Sequence, residues 1–387
     1  MKGQVNMRTS LREITMKAKA DKKFRFGNLY GLLNEETLKS CFSELRKNAV
    51  PGVDKVDYWE YQATLSDNIS DLVKRLKSFS YHAKLILRKY IPKSKNKLRP
   101  LGLPVIEDKL LQSGVSKRLN AIFEPLFTKS SFGYRPEIGS INAVQELTFN
   151  LQYGKFGWLV EADIKGFFNN IDHDWMMRML QVKIEDRSFL GLIMKWLKAG
   201  ILEKDGKVIQ PESGTPQGGI VSPVLSNIYL HYVLDIWFEK IFKPSCKGQA
   251  MLVRYADDFV CAFQYKADAD RFYAILGERL GKFNLEVAPE KTRIIRFHTK
   301  KNEGFEFLGL EFRWKINRKG EAQVKRRTSP EKLRAAINKF KEWIKKERNL
   351  KITDLFRKLR SKYYGYWNYY GIHDNLKGIG QLLSSHD

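Results

Sequence analysis

The chain reads as an α+β protein, because strand-like and helix-like stretches mix along it without the strict alternation of a parallel α/β sheet. Two further observations support this reading. Two apolar strand-like runs, Met251 to Phe263, fold about a pair of adjacent carboxylates, and the tail from Ser329-Pro330 onward carries apolar residues at helical spacing. At 387 residues and 43% hydrophobic, the chain can build two or three domains with real cores. Three are expected: an N-terminal extension leading into the next domain over 1–73, a central domain over 74–313, and a linker with a helical module over 314–387. The net charge of +26, from 69 Lys and Arg against 43 Asp and Glu, suits a long polyanion, although an anionic membrane surface would also attract it. No apolar run approaches the roughly 20 residues of a spanning helix. The N-terminus, with Arg8, Arg12, Lys17 and Lys19 among polar residues, lacks the apolar segment of a secretory signal. A cytoplasmic protein without a membrane partner is expected. Cys41, Cys246 and Cys261 form no CxxC pair and no histidine stands at ligand spacing from them, so neither zinc nor a disulfide is indicated.

Residues 1 to 80 read as mostly helical, with helices over Glu36 to Asn48 and Trp59 to Phe79 either side of the turn Val50-Pro-Gly-Val-Asp54. Lys84 to Arg99 holds seven basic residues and no acidic one, on a strand from Leu85 to Ile91 and a loop, either as a phosphate-facing surface or as a solvated basic face. Lys109 to Leu126 reads as a helix, and Trp158 to Asp163 as a buried strand ending in a carboxylate. A helix from about His173 could be capped by Asp172. The glycine-rich Gly214-Thr-Pro-Gln-Gly-Gly219 precedes a helix with Ser222 as N-cap and Pro223 at its first position. Another helix is expected over Ala267 to Phe283, then a strand pair around Phe305 to Phe312, a basic linker from Arg313 to Arg327, and two amphipathic helices marked by Leu333, Ile337, Phe340 and Ile344 and by Leu355, Leu359, Tyr363, Tyr366 and Tyr370.

The carboxylate hairpin breaks a local rule, since two-residue turns favour Asn-Gly or Asp-Gly and Tyr255-Ala-Asp-Asp258 has no glycine. Adjacent carboxylates beside apolar strands raise one another's pKa and call for a cation, with oxygen ligands pointing to Mg²⁺; the alternative is a solvated Asp-Asp turn. Asp163 at one strand end with Asp257 and Asp258 on a hairpin is the set a two-metal nucleotidyl transfer needs. Lys93 and Arg99 could clamp phosphates, and Gly218 with Gly219 could let backbone approach a base pair.

These features occur in a fixed order: Ile91-Pro-Lys-Ser-Lys-Asn-Lys-Leu-Arg-Pro-Leu-Gly-Leu-Pro104, Phe132-Gly-Tyr-Arg-Pro136, Ala162-Asp-Ile-Lys-Gly-Phe-Phe168 with Asn170-Ile-Asp-His173, Gly214 to Gly219 with Ser222-Pro-Val-Leu-Ser-Asn-Ile-Tyr-Leu230, Tyr255-Ala-Asp-Asp258, Glu290-Lys-Thr292 and Phe307-Leu-Gly309. In this the sequence resembles reverse transcriptases, specifically the group II intron-encoded class, over roughly residues 50 to 320. Tyr363 to Gly371 also resembles the maturase X region. The resemblance implies a right-hand polymerase fold of fingers, palm (an antiparallel sheet with helices) and helical thumb. It implies two Mg²⁺ ions, with Mn²⁺ able to substitute, ligated by Asp163, Asp257 and the carbonyl of Ile164, with Asp258 as a further carboxylate. It implies triphosphate contacts from Lys93 and Arg99, a steric gate at Phe168, and nucleotide-bordering positions at Gln217, Gly218 and Ala256. Lys291 matches a lysine proposed to protonate pyrophosphate, with a solvated lysine as the alternative, and Phe307 to Gly309 matches the primer grip.

The implied partners are an RNA template with its primer, dNTPs, and intron RNA. Family members commonly continue into a DNA-binding region and sometimes an HNH endonuclease. This chain stops at Asp387, so intrinsic target cleavage is not expected. RNA-directed DNA synthesis leads. A maturase acting as an intron RNA-binding splicing cofactor, or the same chemistry reassigned to phage defence or repair, are the alternatives.

Overall fold

The computed structural model describes residues 2–94, 97–215, 218–299, 303–376, 378, 380 and 381. The first stretch is helical: α1 (Lys2–Ala20), α2 (Glu35–Ser43), α3 (Tyr58–Ala63) and α4 (Leu65–Lys77). The Asn34 side chain accepts the Thr37 N–H at the head of α2, and Asp57 with Glu60 caps α3 reciprocally. The single helix expected over Trp59 to Phe79 is broken at Thr64, whose φ of −123° and ψ of 35° are not helical. Beyond it Ile69, Leu72, Val73 and Leu76 form the buried stripe of α4.

β1 (Ile86–Ser94) and β2 (Lys97–Leu103) pair antiparallel, with Ile91 opposite Arg99, so the basic stretch expected as strand and loop is a hairpin. Then come α5 (Ile106–Phe123), α6 (Ser140–Tyr153), β3 (Trp158–Ala162), α7 (His173–Gln181), α8 (Arg187–Leu197), β4 (Ile201–Leu202), β5 (Val208–Ile209) and α9 (Ser222–Leu230). Asp172 caps α7 by accepting the Trp175 N–H at 2.8 Å. At α9 the N-cap is Val221, not Ser222, whose hydroxyl instead shares a 2.7 Å hydrogen bond with Thr215. The helix then widens into π turns at His231–Asp235 and Phe238–Phe242.

The remaining elements are β6 (Ala250–Tyr255), β7 (Asp258–Phe263), α10 (Lys266–Gly281), β8 (Arg293–Arg296), β9 (Phe305–Phe307), β10 (Leu310–Ile316), β11 (Ala322–Thr328), α11 (Pro330–Glu347) and α12 (Ile352–Tyr370). Arg313 to Arg327, expected as a linker, is the β10–β11 hairpin. Its tip is folded by Asn317, whose side-chain oxygen accepts the N–H groups of Lys319 and Glu321, both at 2.9 Å.

By contact the chain forms two compact units, each discontinuous in sequence. The first takes residues 1–137, 164–239 and 277–287 and holds the sheet ordered β2-β1-β4-β5. Buried in it, the Tyr81 hydroxyl donates to Asp108 and accepts the Trp196 indole N–H at 2.9 Å. The second takes residues 138–163, 240–276 and 288–387 and holds the antiparallel sheet β6-β7-β3-β8 and the smaller sheet β11-β10-β9. Phe242, Phe263 and Phe272 pack beside β7 with centroids 5.1 to 6.0 Å apart. α11 and α12 meet where Phe340 stacks on Tyr363 at 5.3 Å, and no residue of α12 is fully buried.

Candidate active site

β6 and β7 are buried along nearly their whole length, which is why both read as continuous apolar runs rather than alternating ones. Tyr255 pairs with Asp258, leaving Ala256 and Asp257 as a two-residue turn. Ala256 is buried at φ +56°, a left-handed conformation that a non-glycine residue rarely adopts. Asp257 is half-buried and Asp258 exposed.

On the other side of β7 lies β3, in a register that ends with Ala162 opposite Phe259. Asp163 follows the last paired residue of β3, and Asp258 opens β7 one residue before Phe259, so the two carboxylates flank the end of this register. The half-buried Asp163 is held from its far side as well. Its carbonyl accepts the Ala288 N–H at 2.9 Å, and the Lys165 N–H donates to Glu286 at 2.9 Å. These two bonds flank the Ile164–Val287 bridge. They turn the N–H and C=O of Ile164 away from Val287.

After Ala288 comes the short turn Pro289–Lys291, which carries the Lys291 ammonium onto the Asp163 carboxylate. The hydrogen bond with Asp163, then the charges of Asp163, Asp258 and Glu290, raise the Lys291 pKa against the lowering effect of burial. A hard, cationic partner is thus already favoured at this cluster. Among the described residues no three carboxylate, imidazole or thiol groups stand in metal-ligating geometry. Carboxylate and carbonyl oxygens are nonetheless the donors a hard divalent cation takes.

Two residues that sequence reasoning passed over belong here. Arg254, the one basic residue inside the apolar run of β6, is fully buried and donates from Nη1 to the Ala256 carbonyl at 2.9 Å. Tyr369, in the last turn of α12, donates to the Leu308 carbonyl at 3.0 Å. Leu308 and Gly309 have φ of +52° and +75° and form the two-residue turn between β9 and β10. Burial raises the Tyr369 pKa, with Tyr255 and the Asp258 carboxylate adding to it. The signal for Arg254 was a lone charge in an apolar strand. Tyr369 lay within the stretch Tyr363 to Gly371, and nothing in the sequence set it apart from the neighbouring tyrosines.

The other expected site residues lie in the first unit. Phe168 sits half-buried in the turn Phe167–Asn169, and its carbonyl accepts the Thr215 N–H at 2.7 Å. The Gly214 N–H donates to Ile171 at 2.7 Å while its carbonyl meets His173 Nε2 at 2.8 Å, fastening the glycine-rich loop to that turn. A side chain on Gly214 would come 2.8 Å from the Asn169 carbonyl oxygen. Gly218, at φ +117°, leaves its Cβ position 2.5 Å from the Gly102 carbonyl oxygen, so the close approach this glycine permits is to β2 of its own chain. Gln217 lies outside the described residues, as does the Lys93 side chain, whose backbone belongs to β1; Arg99 is exposed on β2.

Residues 91–312 match the family model for reverse transcriptase (RNA-dependent DNA polymerase). The group II intron-encoded protein LtrA of Lactococcus lactis subsp. cremoris is 43% identical over 166 residues, 43% of this chain but only 27% of that protein's length. Protein YkfC of Escherichia coli K12 is 31% identical over 319 residues, covering 73% of this chain and 81% of its own. Among solved structures, telomerase from Candida albicans in complex with a fragment of telomeric RNA superposes with a TM-score of 0.50 at 14% identity, over 85% of this chain and 66% of that one. The likeness shows a shared right-hand fold. With carboxylate strands, hairpin and motif order agreeing with these matches, the chain belongs to the reverse transcriptase family, in its group II intron-encoded branch.

Proposed function

We propose that the chain is an RNA-directed DNA polymerase, extending a primer 3′-hydroxyl with dNTPs on an RNA template. The observation that carries the reading is that β3 ends, with Ala162 opposite Phe259, beside the turn that holds Asp257, and that Lys291 feels the charges of both Asp163 and Asp258. Asp163, Asp257 and the Ile164 carbonyl would hold two Mg²⁺ ions, or Mn²⁺ in their place, with Asp258 as a further carboxylate. Bound there, such ions would activate the attacking hydroxyl and neutralise the leaving pyrophosphate. Lys93 and Arg99 bind the triphosphate, Phe168 bars a ribose 2′-hydroxyl, and Gln217, Gly218 and Ala256 border the nucleotide. Lys291, kept protonated by Asp163, offers Nζ as the proton donor to pyrophosphate. Primer extension on an RNA template with Mg²⁺ is the test. Asp163→Ala and Asp257→Ala should each abolish it, and normal extension by either variant overturns the assignment.

A second reading, intron RNA binding in support of splicing, is favoured by α12. It exposes Phe356, Tyr364 and Trp367 beside Arg360, an aromatic and basic face of the kind that stacks on unpaired bases. The two readings are compatible. No described helix is long and apolar enough to cross a membrane.

A further inference from the structure

Arg254 places a guanidinium in the middle of an apolar strand, wholly out of solvent. A buried charge is tolerated only where it is hydrogen-bonded, and here one acceptor is the Ala256 carbonyl, 2.9 Å from Nη1. That carbonyl belongs to the central peptide of the turn closed by Tyr255 and Asp258. Two-residue turns that open with a positive φ come in two forms related by a flip of this central peptide. The I′ form needs positive φ at the second residue too, whereas II′ does not and ordinarily has glycine first. Ala256 stands at +56° and Asp257 does not share the positive φ, so the turn is of the II′ kind with alanine where glycine belongs. Left to itself, such a turn has reason to flip.

We infer that Arg254 is a positioning residue: by holding the Ala256 carbonyl it selects the orientation of the Ala256–Asp257 peptide and so aims the Asp257 carboxylate. The inference rests on the proposed role of Asp257 at the metals. It differs from a packing role for Arg254 in one respect. Glycine accepts the first position of a II′ turn without support, so Ala256→Gly should make the arginine dispensable.

The test compares Mn²⁺ binding by electron paramagnetic resonance, without nucleotide, and primer extension, in the full chain. The proteins are wild type, Arg254→Lys, Ala256→Gly and the double variant, with Asp257→Ala alongside. Arg254→Lys should weaken Mn²⁺ binding and slow extension by about tenfold, the loss of one charge-assisted hydrogen bond. The double variant should return to within about twofold of Ala256→Gly alone, the scatter expected of independent effects. A double variant impaired by the product of the two single losses would overturn the inference and leave Arg254 a core residue. Should Arg254→Lys fail to fold, soluble yield and thermal midpoint are read instead, where recovery in the double variant supports the inference and its absence overturns it. Wild-type Mn²⁺ binding and extension by Asp257→Ala would strike the role of Asp257 itself, whatever the rescue shows.

Discussion

A phenyl ring can exclude a 2′-hydroxyl only if its surroundings keep it from yielding. Phe168 meets Phe167 edge-on, with centroids 5.4 Å apart, and its carbonyl is held by the Thr215 N–H at 2.7 Å, so ring and backbone are braced in one turn. Phe168→Ala should therefore lower the ratio of deoxyribonucleotide to ribonucleotide incorporation on the order of ten- to hundredfold, the discrimination one apolar contact supplies. A competition assay on a single template reads it, and an unchanged ratio would make Phe168 a packing residue. At this scale the carboxylates were legible because Asp163 ends an apolar strand and Asp257-Asp258 interrupts a hairpin without glycine. Arg254 was not singled out, because its partner in the turn is a backbone carbonyl, and a backbone acceptor leaves no trace among side-chain letters.

The β10–β11 hairpin shows how composition misleads about an element. Its basic residues read as a linker, yet Arg326 pairs with Asp374 at 3.1 Å and Arg327 with Glu311 at 2.5 Å. Asn375 fastens the same strand end, accepting the Thr328 N–H at 2.8 Å. Arg318 and Lys319, exposed at the tip, are differently placed. If the tip follows template–primer duplex, Arg318→Gln with Lys319→Gln should flatten the salt dependence of log K by close to two units, about 0.9 per phosphate contact. Arg326→Gln with Arg327→Gln should leave that slope almost unchanged and lower the thermal midpoint slightly instead, since it breaks one ion pair to Asp374 and one across the hairpin to Glu311. Filter binding at several salt concentrations and a melting curve separate the pairs; a wild-type slope for the Arg318→Gln, Lys319→Gln variant would show that the tip does not touch phosphate. The hairpin was hidden because only Phe312 and Val324 among its central residues are deeply buried, too few to print an alternation.

For the molecule as a whole, local periodicity made the α+β character and the helical tail visible. The two contact units were not visible, because the second is assembled by pairing β3 with β7 and β8 across more than ninety residues of chain. Stability has a similar non-local term. Burial raises the Asp108 pKa from 3.8 to about 6, against the lowering effect of the Tyr81 hydroxyl and the Lys84 N–H. A carboxyl whose folded pKa is raised stabilises fully below its unfolded pKa, near 4, and loses that contribution as pH rises through 6; two units correspond to roughly 3 kcal/mol. Asp108→Asn should flatten the decline in denaturant midpoint of the first unit between pH 4.5 and 8, and an unaltered pH profile would remove Asp108 from the account. The β3–β7 register also bears on which lengths of chain evolution can accept. One residue inserted between Trp158 and Ala162 would send the following carboxylate to the opposite face of the sheet, and two would restore the face but carry it about 7 Å along the strand. Neither error can be absorbed locally, whereas the turn at Gly206, with open space around it, can lengthen freely. Among relatives, length polymorphism should collect at such turns and leave those five residues invariant in number.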